Sequence, residues 1–86
     1  MTNNEKLLLE ILLFKNNKSI KFKDLCSVLE YLGFQNRIKG DHFIYYKKGI
    51  DEIINIQPDK NMAKPYQIKQ IRNILLKYKL IGGIYE

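Results

Sequence analysis

The sequence predicts an α+β fold in which helices pack on one face of a three-stranded antiparallel sheet. Apolar residues recur with helical spacing in two segments before Gly33 and in one after Pro65, while between Phe34 and Pro58 the pattern is extended and broken by two turns. The order helix, helix, three strands, helix supplies apolar cover for one sheet face only, so the other is expected to meet solvent or a partner. At 86 residues and 45% hydrophobic, the chain has material for one core and no room for a second.

The first helix is expected over residues 5–15. Thr2 and Glu5 have the spacing of a capping box, and Leu7, Leu8, Ile11 and Leu12 share one face before Asn16 and Asn17 end the run. The second is expected over 22–32, where Leu25, Val28, Leu29 and Leu32 follow the i, i+3, i+4, i+7 pattern and Gly33 stands where a left-handed C-cap is wanted. Cys26 lies beside that stripe. It reads as a buried structural thiol rather than a reactive one.

Strands are expected over 34–39, 42–47 and 53–57. Gly40-Asp41 makes a two-residue hairpin connection between the first two, and residues 48–52 around Gly49 make a looser one. Pro58 stops the third strand, and a polar segment with Asp59 and Asn61 follows. Pro65 then takes the first position of a helix over 66–78, whose apolar stripe is Ile68, Ile71, Leu75 and Tyr78. The tail after Leu80, with Gly82-Gly83, is expected to fray.

Charge narrows the partners. Fifteen Lys and Arg against nine Asp and Glu give a net charge of +6, which favours RNA, DNA or an acidic protein without choosing among them. A lone cysteine cannot close an internal disulfide, and the chain does not open with a charged n-region and cleavage site, so a cytoplasmic location is expected. The longest apolar run, residues 11–14 behind 7–9, is interrupted by Glu10 and falls far short of a membrane span.

Little catalytic equipment is present. His42 is the only histidine and Cys26 the only cysteine, too few for a zinc site, and the acids are scattered, the close groups being Asp24, Asp41 and the Asp51-Glu52 pair. Ser19 and Ser27 lack any nucleophile spacing, and no Gly-rich phosphate loop precedes a helix. What remains is a single imidazole among cations, with Arg37, Lys39, Lys47 and Lys48 around it on the hairpin. RNA suits such a set, since a ribonucleotide brings its own nucleophile. The 2′-hydroxyl needs only a base to take its proton and a cation to hold the phosphate. On composition alone, a histidine with no chemistry is the more frequent case.

At His42 the residues carry a family resemblance. Gly40-Asp41-His42 followed by Phe43, Ile44 and Tyr45 resembles the Gly-Ser-His-x-x-aromatic hairpin of HicA-family toxins, and Gly33-Phe34 resembles the Gly-Phe that precedes it. Residues 54–58 and 63–72 look like the third strand and last helix of longer members, so the similarity covers about residues 20–80. The resemblance implies a double-stranded-RNA-binding-domain-like α-β-β-β-α fold, with residues 1–18 as a helical extension of a single domain. It also implies metal-independent cleavage of mRNA and a HicB-type antitoxin as partner. Under it, His42 matches the catalytic histidine and Gly40 the glycine of the turn. Two positions depart from the pattern, Asp41 in place of the commoner serine and Phe43 in place of a second histidine. Asp41 either orients the imidazole or repels the phosphate, and the sequence does not decide between these. The apolar face of the first helix must be buried on the core or on a partner.

Candidate RNA-binding residues follow with different warrants. Alternation places Arg37 and Lys39 on one side of their strand, whereas Lys47 and Lys48 read equally as solvated charges. Tyr45, Tyr46 and Tyr66 have the chemistry to stack on bases, although packing is the commoner role. Lys64 stands beside a helix N-terminus, where a phosphate is favoured. Two rival readings stay open: a non-catalytic RNA-binding module of the same fold, and a winged-helix DNA-binding protein. Against the second, residues 22–32 carry Lys23 as their only base, too little to read a major groove.

Overall fold

A computed structural model describes residues 3–14 and 19–80. Their element order is α1 (Asn3–Leu12), α2 (Phe22–Tyr31), β1 (Gln35–Lys39), β2 (His42–Tyr46), β3 (Ile54–Ile56) and α3 (Pro65–Lys77). The expected order and fold class hold, and the arrangement agrees with a double-stranded-RNA-binding-like fold. The expected Thr2 cap, the Asn16-Asn17 stop and the Gly82-Gly83 tail lie outside the described residues.

α1 ends earlier than its apolar pattern suggests. Phe14 N–H turns back to the Ile11 carbonyl at 3.2 Å, an i→i−3 bond that tightens the last turn, and the Phe14 carbonyl accepts from the Arg72 guanidinium at 3.3 Å. Leu8 and Ile11 are fully buried, and α1 packs on both α2 and α3. The apolar face of this helix is therefore spent on the protein's own core.

α2 closes as its glycine predicts. Gly33 takes φ +93° and donates to the Glu30 carbonyl at 3.0 Å, while Phe34 N–H reaches the Leu29 carbonyl at 3.0 Å. This pair of bonds is a Schellman motif, and it takes Phe34 out of the expected strand and into the core, 5% exposed. α3 repeats the device without a glycine. Lys79 adopts φ +57° and donates to the Leu76 carbonyl at 3.3 Å, and Leu80 N–H reaches the Leu75 carbonyl at 2.8 Å. At the other end of α3, Pro65 opens the helix and the buried Gln67 side chain accepts the Lys64 N–H at 3.3 Å.

The sheet order is β1-β2-β3, antiparallel throughout. Lys39 pairs with His42, so Gly40 and Asp41 alone make the turn. Positive φ falls on Gly40 only, at +63°, the sign pattern of a type II′ turn that suits the twist of a hairpin. The β2–β3 connection begins with a turn closed by Ile50 N–H to the Lys47 carbonyl at 3.0 Å, with Gly49 at φ +91° as its third residue. After β3, Asp59 and Met62 exchange both backbone bonds at 2.9 Å around Lys60 and Asn61, which both have positive φ. This small hairpin is pinned to the start of α2 by Phe22 N–H to the Asn61 carbonyl at 3.0 Å and by Ala63 N–H to the Ile20 carbonyl at 2.8 Å.

The core lies between one sheet face and the helices. Tyr45, Ile54 and Ile56 point into it and meet Leu25, Leu29, Ile68, Ile71 and Leu75 in one buried cluster. Tyr45 hydrogen-bonds the Cys26 thiol, and burial pushes both groups up from their ordinary pKa, so Cys26 stays an un-ionised structural thiol. Phe22, the first residue of α2, meets the ring of Phe43 edge-on at 4.9 Å and ties the hairpin to the helical layer. Such a pair adds ~0.5–1.5 kcal/mol beyond its buried area.

Candidate active site on the open sheet face

Strand alternation sends every second residue of the hairpin away from this core. The register Arg37↔Ile44, Lys39↔His42 and Ile44↔Asn55 puts all five on the outer face, with Tyr46 opposite Gln35. No burial competes there, so polar and charged residues are tolerated: β1 is exposed at every position and Asn55 is exposed between buried Ile54 and Ile56.

The imidazole of His42 is held from β3 and from the residue just beyond it. Its Nδ1 lies 3.3 Å from Asn55 Oδ1 and its Nε2 lies 3.3 Å from Gln57 Nε2. An amide oxygen only accepts and an amide nitrogen only donates. With the amides so oriented, Nδ1 carries the ring proton and Nε2 presents its lone pair. That is the tautomer a general base needs at Nε2. Both bonds are long, so the incoming hydroxyl of a substrate can replace Gln57 at Nε2. Asp41 Oδ1 stands 3.9 Å from the same Nε2, with the two side chains 70% and 48% exposed respectively. Solvent screens a contact of that kind, so the ring is oriented by Asn55 and Gln57 rather than by Asp41.

The other expected site residues fall in three places. Arg37 and Lys39 share the face of His42, Lys39 directly opposite it, and Gly40 forms the adjoining turn. Lys47 follows the far end of β2, and its Nζ lies against Gly33, close enough that a Cβ there would stand 2.8 Å away. Lys64 and Tyr66 stand at the start of α3 and face each other, Nζ to ring centroid 6.0 Å. Tyr45 is buried at 2% exposure, which leaves Tyr46 as the hairpin tyrosine on the open face.

Asn55 and Gln57 were not singled out by sequence reading. The available signal was their i, i+2 spacing on the strand next to His42, with Asn55 a polar residue between two isoleucines. Among the described residues, no group of three or more His, Cys, Asp and Glu side chains gathers where a metal ion could be held. No helix among them is long and apolar enough to cross a membrane.

Comparison with known families decides the class. Residues 22–79 match the family described as the HicA toxin of bacterial toxin-antitoxin, two thirds of the chain. The chain belongs to the HicA toxin family. Neither a curated protein nor a solved structure matches it. Membership makes the protein the toxin component of a toxin-antitoxin pair and sets the winged-helix reading aside. The HicA match begins at the first residue of α2 and runs through α3, so it takes in the hairpin, the outer sheet face and both residues that hold His42.

Proposed function

We propose that this HicA toxin is a metal-independent endoribonuclease that cleaves mRNA in the cytoplasm, with His42 as general base. The observation that carries the reading is the imidazole held between Asn55 at Nδ1 and Gln57 at Nε2, on a solvent-facing sheet surface that also bears Arg37 and Lys39. In the reaction, Nε2 takes the proton of a ribose 2′-hydroxyl, O2′ attacks the adjacent phosphorus and the P–O5′ bond breaks. The 5′-oxygen leaves with a proton drawn from water, the upstream fragment keeps a 2′,3′-cyclic phosphate, and His42 returns its proton to solvent. Arg37 and Lys39 hold the phosphate and offset charge on its oxygens as the new bond forms. Gly40 adds no side chain at the first position of the turn, which leaves room there for RNA beside the ring. Lys47, Lys64 and Tyr66 extend the contact for more distant parts of the strand.

The partner follows from the same surface. A HicB-type antitoxin that blocks a polyanion site has to offer Asp and Glu to Arg37 and Lys39, and in doing so it covers His42. Purified protein incubated with RNA in chelator tests the chemistry. The expected outcome is cleavage with a cyclic phosphate end, lost in a folded His42→Ala variant; a magnesium requirement, or full activity in that variant, refutes it. If wild-type protein binds RNA without cutting it, the fold serves as a non-catalytic RNA-binding module instead.

A further inference from the structure

Four residues beyond His42, the outer sheet face carries an apolar hollow that the chemistry above does not use. It measures ≈ 300 Å³ and is lined by Arg37, Ile44, Tyr46 and Ile53. Tyr46 is 36% exposed and Ile53 63%, so large apolar side chains are left in water on the side of the sheet that has no helix. They do not belong to the core, which occupies the opposite face. Ile44 lies two residues along β2 from His42 and Tyr46 four, which at the rise of a strand is ~7 and ~13 Å. A base flanking the phosphate at His42 therefore reaches the hollow.

We propose that this hollow is a nucleobase subsite, in which an unpaired base of single-stranded RNA stacks on Tyr46 between Ile44 and Ile53 while Arg37 holds its phosphate. The proposal rests on the ribonuclease reading for the placement of the phosphate at His42. Three features select RNA as the occupant. Tyr46 and Arg37 line the same hollow, and an aromatic ring and a guanidinium are the groups on which splayed bases stack. The rim is cationic on the His42 side, through Arg37 and Lys39, which complements a phosphate chain. The volume is at the low end for a ligand pocket, suited to one planar ring system.

Binding is read with a fluorescent single-stranded oligonucleotide carrying 2′-O-methyl groups, which cannot be cleaved by 2′-hydroxyl attack. Tyr46→Ala should weaken it by about 5- to 150-fold, the range for loss of one stacked base, while Tyr46→Phe and Tyr46→Trp retain it. In cleavage assays the same variant should raise KM more than it lowers kcat. A second arm changes the oligonucleotide: an abasic nucleotide beside the scissile phosphate should cost wild-type protein the same factor, with no further loss in Tyr46→Ala.

Unchanged oligonucleotide affinity in both arms overturns the subsite. So does a Tyr46→Ala variant that loses affinity for an antitoxin while keeping its affinity for RNA, since the hollow would then be a protein-docking surface. The two readings fail separately. Cleavage that ignores Tyr46 leaves the ribonuclease and removes the subsite. Tyr46-dependent RNA binding by a wild-type protein that does not cleave keeps the subsite and removes the ribonuclease.

Discussion

Replacing Asn55 by Ala tests whether the tautomer of His42 is set by its neighbour. Asn55 is exposed, so its removal opens no cavity and should leave folding cooperative. What is lost is the acceptor that lies 3.3 Å from Nδ1. A neutral hydrogen bond in an exposed position is worth ~0.5–1.5 kcal/mol, so the tautomer with Nε2 free should lose about 2- to 12-fold in its ratio to the other. Since only that tautomer accepts a proton at Nε2, the single-turnover cleavage rate should fall by up to the same factor. Asn55→Asp keeps an acceptor and should restore it, and Asn55→Ala added to His42→Ala should change nothing further. Imidazole nitrogen shifts measured by NMR report the tautomer directly and do not depend on activity. If they are the same in wild type and Asn55→Ala, Asn55 does not set the ring, whatever happens to the rate.

Four further outcomes follow from the fold. Lys60 and Lys79 hold positive φ of 52° and 57° without being glycine, so Lys60→Gly and Lys79→Gly should each raise stability in urea by up to ~1 kcal/mol. Gly33→Ala should lower it by at least ~1 kcal/mol and move Lys47, because φ is +93° and the added Cβ would stand 2.8 Å from Nζ. The Tyr78 hydroxyl and the Lys77 ammonium hold the Glu52 carboxyl below its ordinary range. Its contribution is therefore present above the ordinary carboxylate pKa and is lost as pH falls through the lowered one, and Tyr78→Phe should flatten the acid limb of a stability–pH curve. Leu8→Ala should cost ~2–5 kcal/mol in thermal or urea unfolding, as a fully buried leucine whose loss leaves a cavity between helices.

The helical and extended periods were legible because burial enforces them, which is why every helix was expected within a few residues of its place. The ends were less so. Leu13 and Phe14 continue the apolar run, yet Phe14 folds under the helix because Arg72, distant in sequence, takes its carbonyl. The small hairpin at residues 59–62 was missed because Lys60-Asn61 lacks the glycine that marks such turns. His42, Arg37 and Lys39 could be placed on one face from the first hairpin alone, where a two-residue turn fixes the register. Asn55 and Gln57 could not, because their alignment with His42 depends on the path of residues 47–53, and a loop of that length leaves the register of β3 open.

The burial of α1 and the openness of the sheet belong to one argument about how a small chain supports an exposed site. α2 and α3 both pack on α1 and would lose that cover without it. Leu8, Ile11 and Leu12 of α1 are at or below 9% exposure, and burying three such side chains is worth ~1.5–3 kcal/mol each. That sum is comparable with the whole stability of a small domain. The helical layer is thus supplied from α1, although the family match begins at Phe22. No part of the core then has to be drawn from the outer sheet face. His42, Arg37, Lys39 and the Tyr46 hollow can stay in solvent, where the proposed RNA strand would reach them without any movement of the fold, and where the proposed antitoxin would dock in preference to the apolar side of α1, which is already buried.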